Sequence, residues 1–145
     1  MDNHYQIDLI LLDFTKAFDK VPHRHLLTKL SYYGISGNVH KWIETWLTQR
    51  TQQVVVDGEF SCLASVRSGV PQGTVLGPLM FLIYVNDIAD DVSSSLRLFA
   101  DDCLLYRVIK SDLDAVHLQC DLNHLSQWAQ TWQMKFNLDK CTVIS

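Results

Sequence analysis

The sequence predicts an α+β fold, an antiparallel sheet with helices packed mainly on one face. Three observations predict it: strand-like and helix-like stretches are mixed along the chain, one stretch turns back on itself at Asp57-Gly58, and two strand-like runs meet at Asp101-Asp102. The 145 residues are one domain's worth of chain. With 48% hydrophobic and 19% charged residues, and four Trp, six Phe and five Tyr, the composition is globular and not disordered. The net charge of -4 argues against a free-standing nucleic-acid-binding module, which is usually basic. It leaves room for an acidic catalytic part of a larger nucleic-acid enzyme.

The elements follow in order. "IDLILLDF", Ile7 to Phe14, is a compact apolar run bounded by charge and reads as a buried strand ending at Asp13. "HRHLLTKLSYYG" is a helix started by Pro22 and stopped at Gly34, and "NVHKWIETWLTQR" is another, with Trp42 and Trp46 four apart on one face. "TQQVVVDGEFSCLASV" is a hairpin turning at Asp57-Gly58. The loop "RSGVPQG" then feeds a mostly buried helix from about Thr74 to Asp90. Beyond the strands that meet at the aspartates, Leu118, Leu122, Leu125, Ala129 and Trp132 recur at steps of four and three, which marks a long amphipathic helix. The final segment, "FNLDKCTVIS", ends in a strand with no obvious neighbour left in the chain, so the end looks cut.

The four cysteines form no C-x-x-C pair and read as reduced core thiols. Cys120 and His124 share a helix face, but no second pair completes a zinc set. The start, "MDNHYQIDLILLDF", is cut by Asp8 and Asp13 and is no signal peptide. The longest apolar run, Val75 to Val85, contains Gly77 and Pro78 and is too short to span a bilayer.

The stretch "SLRLFADDCLLYR" poses the chemical question. Two carboxylates ~4 Å apart repel by roughly 4 kcal/mol at an effective dielectric near 20, so something positive should offset Asp101 and Asp102. These residues alone leave open a polar hairpin turn and a divalent-cation site. Asp13 also sits at a strand end, where it could equally cap the following turn. Two distant strands can thus bring three carboxylates to one edge, which is what a pair of magnesium ions needs: few hard oxygen ligands, with positions left for water and substrate phosphates.

"LDFTKAFDKVPH", "SGVPQGTVLGPLMFLIYVNDI", "FADD" and "WQMKFNLDKC" resemble motifs A, B, C and D of the reverse transcriptase palm, most closely that of non-LTR retrotransposons of the LINE and Jockey-like group. The four motifs stand in the family's order across nearly the whole chain. The resemblance implies that Asp13 is the motif A metal ligand, helped by the Phe14 backbone carbonyl. Asp101 is then the principal motif C ligand and Asp102 its acidic neighbour, with two Mg²⁺ ions, replaceable by Mn²⁺, as cofactors. Phe18 matches the aromatic that excludes a 2′-OH from the incoming sugar, although a Phe beside Ala17 suits a core equally well. Gln72 and Gly73 match the residues that contact the nucleotide and the template base pair; a plain turn around Pro71 is the bland reading. Lys140 matches the lysine proposed to protonate the pyrophosphate leaving group, its bland reading being a solvated surface lysine. Phe99 stands where many relatives have Tyr and keeps the aromatic bulk. Asp19 reads as a cap or local salt bridge in the "FDKVPH" turn.

What the resemblance implies as a whole is residues 1–145 of a partial reverse transcriptase domain: the palm of an incomplete right-hand fold, with most of the fingers and the thumb absent. The parent would be an RNA-directed DNA polymerase, with an RNA template, a DNA primer and dNTP as partners, acting inside the cell, in the nucleus. A rival from another class is a domesticated fragment that serves only as an interaction surface; the intact carboxylates and Gln72 show no decay by substitution. A maturase-like RNA-binding relative is disfavoured by the lack of a basic surface.

Overall fold

Strand β1 (Gln6–Asp13) carries the apolar run read from the sequence, displaced by one residue. The computed structural model describes residues 5–145. After β1 come a one-turn helix α1 (Ala17–Lys20), helices α2 (His23–Tyr32) and α3 (Gly37–Thr48), and four two-residue strands, β2 (Thr51–Gln52), β3 (Val55–Val56), β4 (Glu59–Phe60) and β5 (Ala64–Ser65). Helix α4 (Leu76–Val85), strands β6 (Ser95–Phe99) and β7 (Asp102–Ile109), helix α5 (Asp112–Thr131) and strand β8 (Thr142–Ile144) complete the order. The chain divides into two units, the first taking in the chain up to Ala17 and then Val85–Ser145, the second Phe18–Tyr84.

The first unit is built on one sheet of order β6-β7-β1-β8, antiparallel throughout. β1 and β7 pair without a break from Gln6↔Ile109 to Asp13↔Asp102. Side chains alternate across a sheet, and the ladder sorts them cleanly. Ile10, Leu12, Cys103 and Leu105 are buried on the face that α5 covers with Leu118, Leu125 and Ala129. Ile7, Leu11 and Val108 on the other face are exposed. The closing strand does find a neighbour: β8 pairs with β1, Leu9 opposite Ile144, so the expectation of a strand without a partner is corrected. Its partner was hidden because an edge of β1 does not announce itself by periodicity.

Helix α5 departs from the expected apolar stripe at one place. Leu122 and Trp132 are half-buried, while Asp121, only 2% exposed, takes a buried position. Its carboxylate accepts the amides of Ser93 (3.0 Å) and Ser94 (2.7 Å) and the Ser93 hydroxyl (3.0 Å), and Arg107 Nη1 lies 3.9 Å away. Burial pushes the Asp121 carboxyl up, but the bonds from Ser94 and Ser93 outweigh it and leave it below its ordinary 3.8. The carboxylate thereby fastens the entry of β6 to the middle of α5.

In the second unit α2 and α3 pack on each other. Pro22 and Gly34 mark the ends of α2 as expected, Gly34 with φ +85°. Trp42 and Trp46 stack face to face, 6.0 Å between centroids, on the outer side of α3, with Trp42 54% exposed. The hairpin turns at Asp57 (φ 51°) and Gly58 (φ 85°), the backbone signs of a type I′ turn. Lys29 is buried, and its ammonium donates to the Tyr84 carbonyl near the end of α4 (2.6 Å).

Helix α4 is shorter than the Thr74–Asp90 expected. The Thr74 hydroxyl accepts the Gly77 amide (3.0 Å) in the manner of an N-cap, so the helix starts later. Past Val85 the bonds tighten to three-residue steps, Ile88 to Val85 and Asp90 to Asp87, and the helix is replaced by turns. The reading of all four cysteines as core thiols holds for Cys103 alone. Cys62 and Cys120 are exposed and Cys141 is half-buried, all without disulfides. Burial first, and Cys141 beside it second, push the Cys103 thiol up to about 12, so it is an inert core group. No helix among the described residues is long and apolar enough to cross a membrane.

Removing the Asp121 carboxylate takes the acceptor from the part-buried amides of Ser93 and Ser94 and one carboxylate from beside Arg107, which keeps Asp114. Asp121→Ala is expected to lower stability by about 2–4 kcal/mol, read as a lower denaturant midpoint at unchanged slope. The native contribution of Asp121 is complete above its ordinary 3.8 and is lost as pH falls through the lower folded value. The difference between wild type and Asp121→Ala should therefore shrink in acid; a constant difference down to pH 2 would refute this account.

Candidate active site

Asp13 is the last residue of β1 and Asp102 the first of β7, and the ladder sets them directly opposite. Facing side chains of such a pair have Cβ atoms about 4.5–5.5 Å apart, so two carboxylates share one sheet face. Asp101 lies one residue earlier, half-buried, in the two-residue loop that joins β6 to β7. Their opposing charge comes from Lys140, whose Nζ stands 2.6 Å from Asp13 Oδ2. The hydrogen bond to Asp13 and its charge, with Asp101 and Asp102 adding, hold the Lys140 ammonium above its ordinary 10.5.

The segment that carries Lys140 is tied to the same strand end. Asn137 N–H donates to the Asp13 carbonyl and Thr15 N–H to the Lys135 carbonyl, both at 2.7 Å. Between these bonds the Phe14 and Phe136 rings stack at 4.5 Å, with Trp128 tilted 6.3 Å from Phe14. The amides of Lys140 and Cys141 then both donate to the Asn137 carbonyl, closing the turn. This bridge uses the carbonyl of Asp13 and the amide of Thr15, and leaves the Phe14 carbonyl out of it. Asn137 was not singled out from the sequence, since nothing local marks an amide that bonds a residue more than a hundred positions away.

A cleft of about 510 Å³ opens here, lined by Asp13, Asp102 and Lys140 together with Arg97, Phe99 and Leu104. Among the described residues no three His, Cys, Asp or Glu side chains are gathered closely enough to hold a metal ion by themselves. Asp13 facing Asp102 nevertheless offers hard oxygen donors of the kind magnesium takes. That ion is commonly held by one or two carboxylates, the rest of its shell being water and substrate phosphate. The donor chemistry fits.

Phe18, Gln72 and Gly73 lie in the second unit. The Phe18 ring is half-buried and stacks on Phe81, 4.6 Å between centroids. Gln72 and Gly73 are exposed, Gly73 with φ +76°. Their loop is laced to the Phe18 segment: Val70 N–H donates to the Phe18 carbonyl, Gly69 N–H to the Val21 carbonyl and the Ser68 hydroxyl to the Asp19 carbonyl, each at 2.8 Å. Asp19 thus engages the loop through its backbone carbonyl, where a cap or ion pair was expected. The Gly69 carbonyl receives His23 Nε2 (2.9 Å) and Arg50 Nη2 (2.7 Å). Sequence reading passed over both, because a polar residue whose partner is one loop carbonyl carries no motif. Two glycines are sterically fixed. A Cβ on Gly69 would stand 2.8 Å from the Asp19 backbone, and one on Gly77 would stand 2.0 Å from the Pro71 oxygen.

An antiparallel sheet backed by a helix, with a carboxylate pair where its two central strands end, belongs to the polymerase palm class. Solved structures agree in fold: apo telomerase from Candida tropicalis superposes with a TM-score of 0.73 at 13% identity, covering 99% of this chain and 29% of that one. Telomerase from the same organism in complex with a TWJ fragment of telomeric RNA gives 0.69 at 14% identity, over 99% of this chain and 27% of that one. Residues 3–145 match the family described as reverse transcriptase (RNA-dependent DNA polymerase), and the chain belongs to that family. It is 32% identical over 143 residues to the RNA-directed DNA polymerase from mobile element jockey of Drosophila melanogaster, a match over 92% of this chain. It is likewise 32% identical over 151 residues to the probable RNA-directed DNA polymerase from transposon X-element of the same species, over 96% of this chain. The chain spans 16% of the length of each.

Two measurements follow from the loop. Burial pushes the His23 imidazole below its ordinary 6.5; the bond to Gly69 opposes this and the Arg50 charge adds to it. The unfolded chain therefore binds a proton more readily, so this contribution is complete above pH 6.5 and is lost as pH falls from there through the folded value. Thermal midpoints of His23→Gln, whose amide nitrogen matches the position of Nε2 and can still donate to Gly69 but does not titrate, should depend less on pH between 7 and 5 than those of wild type. Equal slopes would count against the assignment. Separately, Gly77→Ala and Gly69→Ala are expected to cost about 3 kcal/mol or more, and Gly73→Ala only the left-handed backbone term of about 1–2 kcal/mol, because nothing stands within 4 Å of its Cβ. Equal costs at all three in chemical denaturation would contradict this.

Proposed function

We propose that this chain is the palm, motifs A to D, of an RNA-directed DNA polymerase that adds deoxynucleotides to a primer 3′-OH on an RNA template. The observation that carries the reading is Asp13 facing Asp102 at the end of the β1–β7 ladder, with Lys140 held on Asp13. The names of the jockey and X-element relatives, and the telomerase bound to an RNA fragment, support the choice of reaction and template. Fingers, thumb, primer and dNTP belong to the parent enzyme in this proposal.

In the parent, Asp13, Asp101, Asp102 and the Phe14 carbonyl would hold two Mg²⁺ ions. When bound, these supply Lewis-acid chemistry, strengthening the primer hydroxyl as nucleophile and stabilising charge on the phosphoryl group and leaving oxygen. Lys140 keeps a proton at Nζ. Its raised proton affinity comes from Asp13, and from that position Lys140 would give the proton to the departing pyrophosphate. The lysine side chain is 66% exposed and free to make that move. Phe18, braced on Phe81, sets its ring against the sugar and excludes a 2′-OH. Gln72 offers a neutral amide to the nucleotide, and Gly73 lets the backbone approach it.

The test is made in the parent enzyme. Asp101→Ala should abolish primer extension, and Phe18→Ala should raise the ratio of ribonucleotide to deoxynucleotide kcat/KM, while Phe18→Tyr changes it little. An unchanged ratio in Phe18→Ala would return Phe18 to the core, and extension surviving Asp101→Ala would remove the active site. The 145 residues purified alone should not extend a primer: catalysis of this kind rests on positioning, and an acidic chain offers a duplex no basic groove.

A further inference from the structure

The candidate cleft contains a second cation that its carboxylates do not use. Arg97 lies on β6 opposite Leu104, and Phe99, two residues on, lies opposite Asp102. Because paired residues share a face, Arg97, Leu104 and Leu11 form one row, with Phe99, Asp102 and Asp13 in the next. All six line the cleft. Asp13 is matched by Lys140, whereas Arg97 is exposed and forms no ion pair among the described residues. Beside it the Phe99 ring is 82% exposed.

An unpaired guanidinium next to a bare aromatic ring is a recognisable combination. The ring offers a face to a sugar or base, and the planar fork takes two oxygens of a phosphate. The two side chains are two residues apart on one strand, about 6.8 Å. That spacing is close to the step between successive phosphates of a nucleic-acid strand. A carboxylate ligand is disfavoured, since two carboxylates already stand in the neighbouring row without capturing the arginine.

We propose that Arg97 binds a backbone phosphate of the primer strand, one nucleotide behind the end that lies against Phe99, so that β6 acts as a rail for the primer. The proposal rests on the polymerase reading above. The incoming triphosphate offers the same chemistry from another source, and the experiment separates the two.

In the parent enzyme, primer–template affinity is measured without nucleotide across a series of salt concentrations. Arg97→Ala should weaken binding several-fold whatever the primer sequence and lower the slope of log affinity against log salt by about 1. Arg97→Lys should keep the slope and lose part of the affinity, which also controls for a folding defect. A raised KM for dNTP with unchanged primer affinity would assign Arg97 to the triphosphate and overturn the proposal. So would an unchanged slope in Arg97→Ala. If Asp101→Ala abolishes extension while Arg97→Ala leaves binding untouched, the rail alone falls; if extension survives Asp101→Ala, the reading beneath it falls instead.

Discussion

The unbroken register of β1 against β7 is the constraint on which the rest depends. A one-residue slip would move every side chain of β1 to the opposite face, exposing Ile10 and Leu12 and turning Asp13 away from Asp102. Burying an aliphatic side chain is worth about 1.5–3 kcal/mol, so two of them on β1, together with their cover from α5, hold the register against a slip. Repulsion between Asp13 and Asp102 works against that register and is weakened by water, since Asp102 is exposed. The repulsion is lowered further by a positive charge. Lys140 supplies it, at 2.6 Å from Asp13.

That charge is delivered by the fold. Asn137 is hydrogen-bonded to the carbonyl of the same aspartate whose carboxylate receives Lys140, and the Phe14–Phe136 stack lies between. The carboxylate comes from the beginning of the sequence and the ammonium from near its end, so their meeting depends on the 135–137 segment reaching the end of β1. Structure of this kind depends on contacts distant along the chain. A strongly anchored backbone beneath an exposed lysine tip also separates two tasks: the turn is fixed while the ammonium can exchange partners.

The legible parts of the fold were those with a local signature. Asp57-Gly58 announces its hairpin, Pro22 and Gly34 bracket α2, and the strands around Asp13 and Asp102 show as apolar runs cut by charge. Asp13, Asp101, Asp102 and Lys140 could be nominated from four ordered motifs. Their pairing could not, because register depends on which faces are buried. Polar residues with distant partners were illegible. Asp121 looks like any surface aspartate on a helix until Ser93 and Ser94 are seen to donate to it, and Lys29 like any surface lysine until Tyr84 is. Trp42 and Trp46 share a helix face as their spacing indicates, although spacing alone does not tell whether that face is covered. Gly77 was visible only as an interruption of an apolar run, whereas its reason is the Pro71 carbonyl lying where a Cβ would be.

The question posed by paired aspartates in an apolar run was whether they make a turn or a site, and the backbone shows that the alternatives are not exclusive. Ala100 has φ 53° in the two-residue loop, a conformation that glycine supplies without steric cost at the first central position of a II′ turn. An L-residue there costs about 1–2 kcal/mol. Such a loop is short enough that β6 and β7 hold it from both sides, Phe99 paired with Asp102 across its base. Asp101 is therefore confined between two residues whose positions the ladder already sets. A longer or more glycine-rich turn would relieve the strain at Ala100 and release Asp101 with it. The strained, tight hairpin fixes Asp102 at the ladder position opposite Asp13 and holds Asp101 one residue before it.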